Sequence, residues 1–377
     1  MSLAPRTPDL KANLAINNGT FGTLLSTASI GSLIMLLIGG QIVHVIGAKL
    51  ALRIGMSIIA LAFITLCHTH SPVVFLIANI TAGVGISTYH IGSSGHTLHR
   101  QDEVGKNIIS RLHGAWGVGA VTTALLGFIL SDHVSIAWHI TTLMIIVWLF
   151  TQYTVTKLSP TFPPKTADDN YQLTSIKQFK FKINWILFFG FFCGTITEFI
   201  SADWATLFGK EELGMGASLA TLSYLFFILG LTIGRFAISW ALKFQSERFW
   251  LRTGGLVGGG SFVLLMITST YLVNINQSIA HTMALISFFL AGLGSAATSP
   301  IFYSIAGRLS NGNNSVAVAQ LTFTNTLAIF IAKTILSWMV ELTSITVALT
   351  ISGLALMALF YFGKIGSNER TPVAKTS

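Results

Sequence analysis

Four ionisable side chains stand where ionisable side chains are costly. Glu198 lies deep in a long apolar run, Asp203 follows it nearer the end of the same run, and Arg235 and Lys333 lie inside two others. A charge surrounded by hydrocarbon persists only when it is paired or reached by water, so such residues mark sites of function or of helix locking. At about 100° per residue, Gly194, Thr195, Ser201 and Ala202 share the face of Glu198, and a small, polar face points inward. A carboxylate there can hydrogen-bond a polar solute, take up a proton, or pair with a cation that ties two helices together. Lys333, with Thr322, Thr326 and Ser337 within about 40° of it on the wheel, can hold an anionic group, neutralise Glu198 across a cavity, or serve a structural role. Arg235 follows Gly234 and fits a salt bridge or backbone clamp near one end of its helix, with solute contact as second choice. Asp203 fits a structural or gating contact, and Trp204 beside it an interfacial anchor. Asn79, Gly83, Ser87, His90 and Ser94 fall within about 80° of one another on a helix and form a polar stripe suited to lining a water-filled cavity; close packing through small residues is the alternative.

Other chemistry is missing from the sequence. There is no His/Cys spacing for a metal beyond His68-x-His70, a weak ligand set. No Gly-rich phosphate loop and no Gly-x-Ser-x-Gly occurs. The sequence therefore points to no metal, no cofactor and no enzyme. Cys67 and Cys193 both fall in or beside apolar runs and suggest small core residues rather than a disulfide framework.

The elements that must position these groups are long and apolar. The chain is 52% hydrophobic and 9% charged, with a mean hydropathy of +0.70; an ordinary soluble domain carries roughly 25% charged residues. Runs of about 20 apolar residues, the length of a spanning helix, lie near 21–45, 50–67, 72–96, 112–130, 134–154, 183–204, 218–242, 253–273, 278–306, 316–340 and 343–363. Of 22 Lys and Arg residues, 17 fall in every second gap between these runs and three in the others, leaving Arg235 and Lys333. Basic loops stay cytoplasmic, so the net charge of +9 reflects topology and lipid headgroups rather than nucleic acid. The pattern places the segment before residue 21 outside. It leads to the expectation of a further helix ahead of Met1, giving twelve helices with both ends cytoplasmic.

The chain also repeats itself weakly. Ile30-Gly31 and Leu229-Gly230 are 199 residues apart; Ala82-Gly83-Val84-Gly85 and Ala291-Gly292-Leu293-Gly294 are 209 apart. With the polar, Pro- and Lys-containing stretch at 155–182 between them, these pairs suggest a duplicated bundle: 1–154, then the 155–182 loop, then 183–363, with 364–377 as a cytoplasmic tail. Parallel repeats of this kind hold their site at the midplane between halves.

Over nearly its whole length the chain resembles the major facilitator superfamily, in the branch that includes fucose permease. The matching residues are Arg6-Thr7-Pro8, Ser29-Ile30-Gly31-Ser32, Gly40-x6-Gly47, Leu112-His113-Gly114, Glu198-x4-Asp203-Trp204, Leu229-Gly230 and Gly234-Arg235-Phe236. The resemblance implies an all-α polytopic membrane protein, monomeric, in a bacterial cytoplasmic membrane. It implies a secondary transporter that moves a small polar solute, sugar-like or another metabolite, by alternating access, with protons as one coupling option. Asn79, Ser87, His90, Glu198 and Lys333 are then the cavity candidates, and Gly40, Gly47, Lys49, His113, Asp203 and Arg235 the gating or structural ones. Two departures stand out. The family's loop motif Gly-x-x-x-Asp-Arg-x-Gly-Arg-Lys reads here Gly40-x-x-x-His44-Val45-x-Gly47-Ala48-Lys49, without the acid. The carboxylates that fucose permease carries on its first and fourth helices have no counterpart. A truncated, non-transporting remnant is the competing reading, and a membrane sensor or enzyme a third.

Overall fold

The computed structural model describes residues 2–104, 109–158, 184–309 and 314–368. These residues form α-helices joined by short connections, and no strand occurs among them. A 3-10 turn at Ala4–Arg6 leads into α1 (Thr7–Leu14), α2 (Asn18–Ser26) and α3 (Ala28–Ile46). Then follow α4 (Ala48–His68), α5 (Pro72–Val104), α6 (Ile109–Leu130) and α7 (Ile136–Lys157). Past the residues not described come α8 (Trp185–Glu211) and α9 (Ala217–Ala241), then α10 (Glu247–Thr253), which runs through a π-helical turn at Gly254–Gly259 into α11 (Gly260–Leu272). The chain ends with α12 (Gln277–Ser295), α13 (Thr298–Leu309), α14 (Asn314–Leu342) and α15 (Ile345–Phe362). Among the described residues, ten spans are long and apolar enough to cross a membrane, and Gly114–Leu130 is a shorter apolar helix. The eleven apolar runs expected from the sequence each correspond to one of these; the 155–182 stretch falls almost wholly outside the described residues.

Polar residues at the loop ends start the helices. Asn17, Ser135, Asn184, Ser246, Asn276 and Ser344 each accept a hydrogen bond from the backbone N–H three residues on, satisfying donors that a helix start leaves open. Two spans are interrupted. The α2–α3 span breaks at Thr27, and the α12–α13 span between Ser295 and Thr298.

The sequence repeats are repeats of packing. A Cβ on Gly31 would lie 2.0 Å from the Ile80 carbonyl oxygen, and one on Gly83 1.9 Å from that of Ala28, so α3 and α5 cross backbone to backbone through a reciprocal pair of glycines. Gly230 and Gly292 do the same for α9 and α12, each against a carbonyl oxygen of the other helix at 2.1 Å. Two more glycines obey the same offsets. Gly55 meets Gly85 where α4 crosses α5, and Gly254 meets Gly294 where the π-helical turn crosses α12. Small residues bring helix backbones this close where lipid offers no hydrophobic drive to associate.

The two ends of the bundle differ. At the charge-poor end, Arg6 is almost fully buried. It donates to Asp9 at 2.6 Å and to the Val134 carbonyl at 3.0 Å, and its Nη1 lies 3.2 Å from Nδ1 of His139. Thr206 on α8 donates to the Ala4 carbonyl, Lys11 bonds Glu211 at 2.7 Å, and the Ser218 N–H bonds Asp132. α2 packs on α14: a Cβ on Gly22 would collide with Ser337 and Trp204, and one on Gly19 with Trp338, while the Ser26 and Thr334 hydroxyls lie 3.0 Å apart. Six consecutive α8 residues, Trp204 to Gly209, are buried on every side. Trp204 is therefore a core residue and not the interfacial anchor its position suggested: α8 continues seven residues beyond it, packed by α9, α14 and α15, and the Trp204 ring lies against Gly22 of α2.

Candidate functional site

Glu198 is the central residue of α8, and its Oε2 lies 2.7 Å from Nη2 of Arg235 on α9, with side chains 15% and 27% exposed. Trp116 on α6 closes the pair from the first half of the chain, its ring centroid 5.5 Å from the Arg235 guanidinium carbon. α6 can approach because Gly114 and Gly117 face Phe236 and Thr232 of α9 with no side chain between. The pair is incompletely satisfied. Nε of Arg235 is buried without a hydrogen-bond partner, and so are the hydroxyls of Thr232 and, on α13, Thr298. Thr298 sits against Gly194, one turn from Glu198 on the same face of α8. Near it, Thr195 and Asn325 exchange a hydrogen bond at about 3.3–3.4 Å, and Thr322 donates to Tyr303 Oη at 3.4 Å.

A second intramembrane pair lies toward the charge-poor end. Nζ of Lys333 on α14 is 2.7 Å from Oδ2 of Asp203, with side chains 10% and 14% exposed. The neutralisation of Glu198 by Lys333 that the sequence allowed does not occur. Asp203 is five residues along α8, about 7.5 Å up the axis and on another face, and that is the face α14 packs against. Ser337, whose hydroxyl donates to the Lys333 carbonyl, is the residue under Gly22. The Lys333–Asp203 pair thus borders the seam between α2 and α14.

The polar stripe on α5 divides in two. Asn79 is buried, and its amide donates to the carbonyls of Leu24 and Leu25 at 2.7 and 3.1 Å and to the Thr27 hydroxyl at 3.2 Å. It is engaged at the α2–α3 break, satisfying carbonyls that the interrupted helix leaves open, rather than facing open space as a cavity residue would. Gly83 is the helix crossing described above. Further along, Ser87 is half-buried and His90 exposed.

The remaining candidates fall at the basic end. Gly47 ends α3 with φ +79° and ψ 155°, a backbone that is essentially glycine-only; Gly40 has no atom near the space a Cβ would fill. Lys49 lies in the first turn of α4. His113 lies on α6, its side chain outside the described residues. Where the family motif has an acid and this chain has His44, the structure puts an acid elsewhere. Glu247 at the start of α10 takes both Nη groups of Arg308 at 2.8 and 2.6 Å and the Ser367 N–H at 3.0 Å. That contact was not foreseen, since Glu247 and Arg308 are ordinary loop charges in the sequence. Trp116 is one aromatic among many in the sequence and nothing there sets it apart. No group of three or more metal-ligating side chains occurs among the described residues, and Cys67 and Cys193 are free thiols.

The site is thus a charged pair at the middle of a membrane-spanning helix, capped by an aromatic ring, with the hydroxyls of Thr232 and Thr298 left without partners on the adjoining helices. Comparison with known proteins gives the family. The family model of the Major Facilitator Superfamily matches residues 1–332. A major-facilitator-type transporter of Yersinia pestis, itself uncharacterised, is 23% identical over 363 residues, covering 94% of this chain and 89% of its own. Among solved structures, a D-xylose–proton symporter superposes with a TM-score of 0.74 at 13% identity, over 96% of this chain and 92% of the other. The nucleoside transporter NupG superposes with a TM-score of 0.73 at 13% identity, over 96% and 94%. At such identities the structures speak for the fold, and the family match carries the assignment: this chain belongs to the Major Facilitator Superfamily and is a multi-pass membrane transporter, not an enzyme.

Proposed function

We propose that the protein carries a neutral, hydroxyl-rich solute of sugar or nucleoside size through a site centred on Glu198 and Arg235, by alternating access and with a proton taken up at Glu198. The observation that carries this reading is the neutralised but unsatisfied pair: its two charges cancel, while Arg235 Nε and the hydroxyls of Thr232 and Thr298 lack partners. A site with no net charge gives an ionic solute no advantage. Open donors and acceptors around a Trp ring suit hydroxyls and a flat ring or sugar face. The solved transporters of like fold, for xylose and for nucleosides, are in keeping with this class. The short motifs shared with the fucose-permease branch point the same way.

On this reading the basic end faces the cytoplasm of a bacterium, with the C-terminus there too, and the protein works as a monomer. The packed charge-poor end is then the closed outer side, and the way in from the cytoplasm passes the half-buried Ser87 and the exposed His90. A carboxylate that gains a proton releases its hold on Arg235, which gives coupling a physical route. The test is uptake into proteoliposomes of labelled sugars and nucleosides. Glu198→Gln is expected to abolish accumulation driven by a proton gradient and to retain solute exchange. Undiminished gradient-driven accumulation in that variant would overturn the coupling. Absence of any flux in the wild type across the panel would favour the non-transporting reading.

A further inference from the structure

At the basic end, away from the Glu198 site, a groove of about 610 Å³ lies between α10 and the end of α15. Arg248 and Arg252, one turn apart on α10, line it together with Phe249, Leu256, Val257 and Phe360. Both arginines are held by the backbone. Nε of Arg248 donates to the Gly366 carbonyl at 3.3 Å and Nε of Arg252 to the Phe360 carbonyl at 3.1 Å. The Arg252 guanidinium also lies 4.1 Å over the Phe360 ring. With Nε committed, the Nη forks of both are left for another acceptor. The acid beside them in sequence, Glu247, is occupied by Arg308 and the Ser367 N–H. Among the described residues neither Arg248 nor Arg252 forms a salt bridge, and no acidic residue lines the groove.

The other wall is apolar and open. Phe249 is 42%, Leu256 45% and Val257 56% exposed. Leu256 lies about 6 Å further into the span than Arg252, at 1.5 Å per residue. Two positive forks above an exposed apolar wall reproduce the order of a phospholipid, with phosphate at the interface and acyl chain below it. A soluble anion would account for the arginines and leave the wall unexplained. Basic pockets between helices on the cytoplasmic side suit anionic headgroups, and the arginine fork matches phosphate oxygens.

We propose that this groove binds one anionic phospholipid of the leaflet at the basic end, its phosphodiester between Arg248 and Arg252 and an acyl chain along Leu256, Val257 and Phe360. The tail after α15, which supplies Gly366 and Asn368 to the same place, is thereby tied to α10.

The shared chemistry is a phosphate group, so the test separates lipid from free anion. Wild-type protein in mild detergent is offered phosphatidylglycerol, phosphatidylcholine or inorganic phosphate, and bound species are counted by native mass spectrometry. Phosphatidylglycerol is expected to be retained at least fivefold over phosphatidylcholine and not to be displaced by millimolar phosphate. The Arg248→Gln/Arg252→Gln protein should lose that retention about tenfold or more, at roughly 1 kcal/mol per basic residue. Arg53→Gln, an exposed arginine elsewhere on the basic end, should retain it. Equal retention of the two lipids by the wild type would overturn the proposal without recourse to any variant. So would an equal loss in Arg53→Gln, and displacement by phosphate would replace the lipid site with a free-anion site.

Discussion

Lys333 lies 2.7 Å from Asp203, while Glu198, five residues earlier on α8, is held by Arg235 at 2.7 Å. The two positive charges that membrane topology leaves unexplained are therefore neutralised one to one by two acids on a single helix. One pair sits beside the seam between α2 and α14 and one at the centre of the span: Lys333–Asp203 braces α8 against α14, and Glu198–Arg235 is the centre of the proposed solute site.

Breaking the bracing pair on one side strands a buried charge, which costs about 3–5 kcal/mol, whereas replacing both partners with apolar or neutral groups is often close to neutral. Lys333→Met alone and Asp203→Asn alone should each lower the melting temperature in detergent well below wild type, and the double variant should recover most of the loss. A double variant as unstable as the worse single one would show that the pair is not the relevant contact.

The reciprocal glycine crossings should respond alike in the two halves. Gly83→Val and Gly292→Val each push a side chain into the backbone of the facing helix, beyond the 1–3 kcal/mol of ordinary overpacking. Both should reduce the yield of monodisperse protein severely. Gly119→Ala, where a Cβ meets nothing, should leave it unchanged. Tolerance of Gly292→Val beside intolerance of Gly83→Val would mean that the two crossings are not equivalent.

Gly40 and Gly47 of the same loop motif should part company. Neither has an atom near the added Cβ, but Gly47 has φ +79° and Gly40 is within α3. Gly47→Ala should cost about 1–3 kcal/mol of backbone strain, read as a lowered melting temperature, with Gly40→Ala near wild type. Equal effects would show that the positive φ of Gly47 is not what makes glycine necessary there.

The seam between α2 and α14 should open and close during transport. Ser26 and Thr334 bring their hydroxyls within 3.0 Å, close enough for a cysteine pair to be tested there. In a Cys67→Ala/Cys193→Ala background, oxidised Ser26→Cys/Thr334→Cys should lose uptake and regain it on reduction. Full uptake by the cross-linked protein would show that this seam stays shut throughout the cycle.

Much of the architecture was legible before the fold. Ten of the eleven apolar runs became helices long enough to span and the eleventh a shorter apolar helix, because in lipid a backbone must satisfy its own hydrogen bonds, so length and hydropathy are enough to mark a helix. Gly31, Gly83, Gly230 and Gly292 announced the repeat because only glycine allows two helix backbones to touch. The site was less legible. Glu198, Asp203, Arg235 and Lys333 were conspicuous one by one, since a charge in hydrocarbon is rare. Asn79 stood out as part of a polar stripe on an apolar helix, yet it is engaged at a helix break that no pattern foretold. Glu247 and Arg308 carried no signal at all.

The sequence by itself determined which segments cross the membrane, which loops share a side, and which four charges need partners. Each of these depends on composition along the chain, which the bilayer reads locally. Only the tertiary structure decided who pairs with whom: Lys333 with Asp203 and not Glu198, Arg235 with Glu198 beneath Trp116, and Asn79 with the carbonyls of Leu24 and Leu25 at the helix break. Those choices depend on the rotation of each helix about its axis and on which neighbour it packs against. Partners 37 to 130 residues apart in the chain are set by the packing of whole helices, which local sequence does not encode.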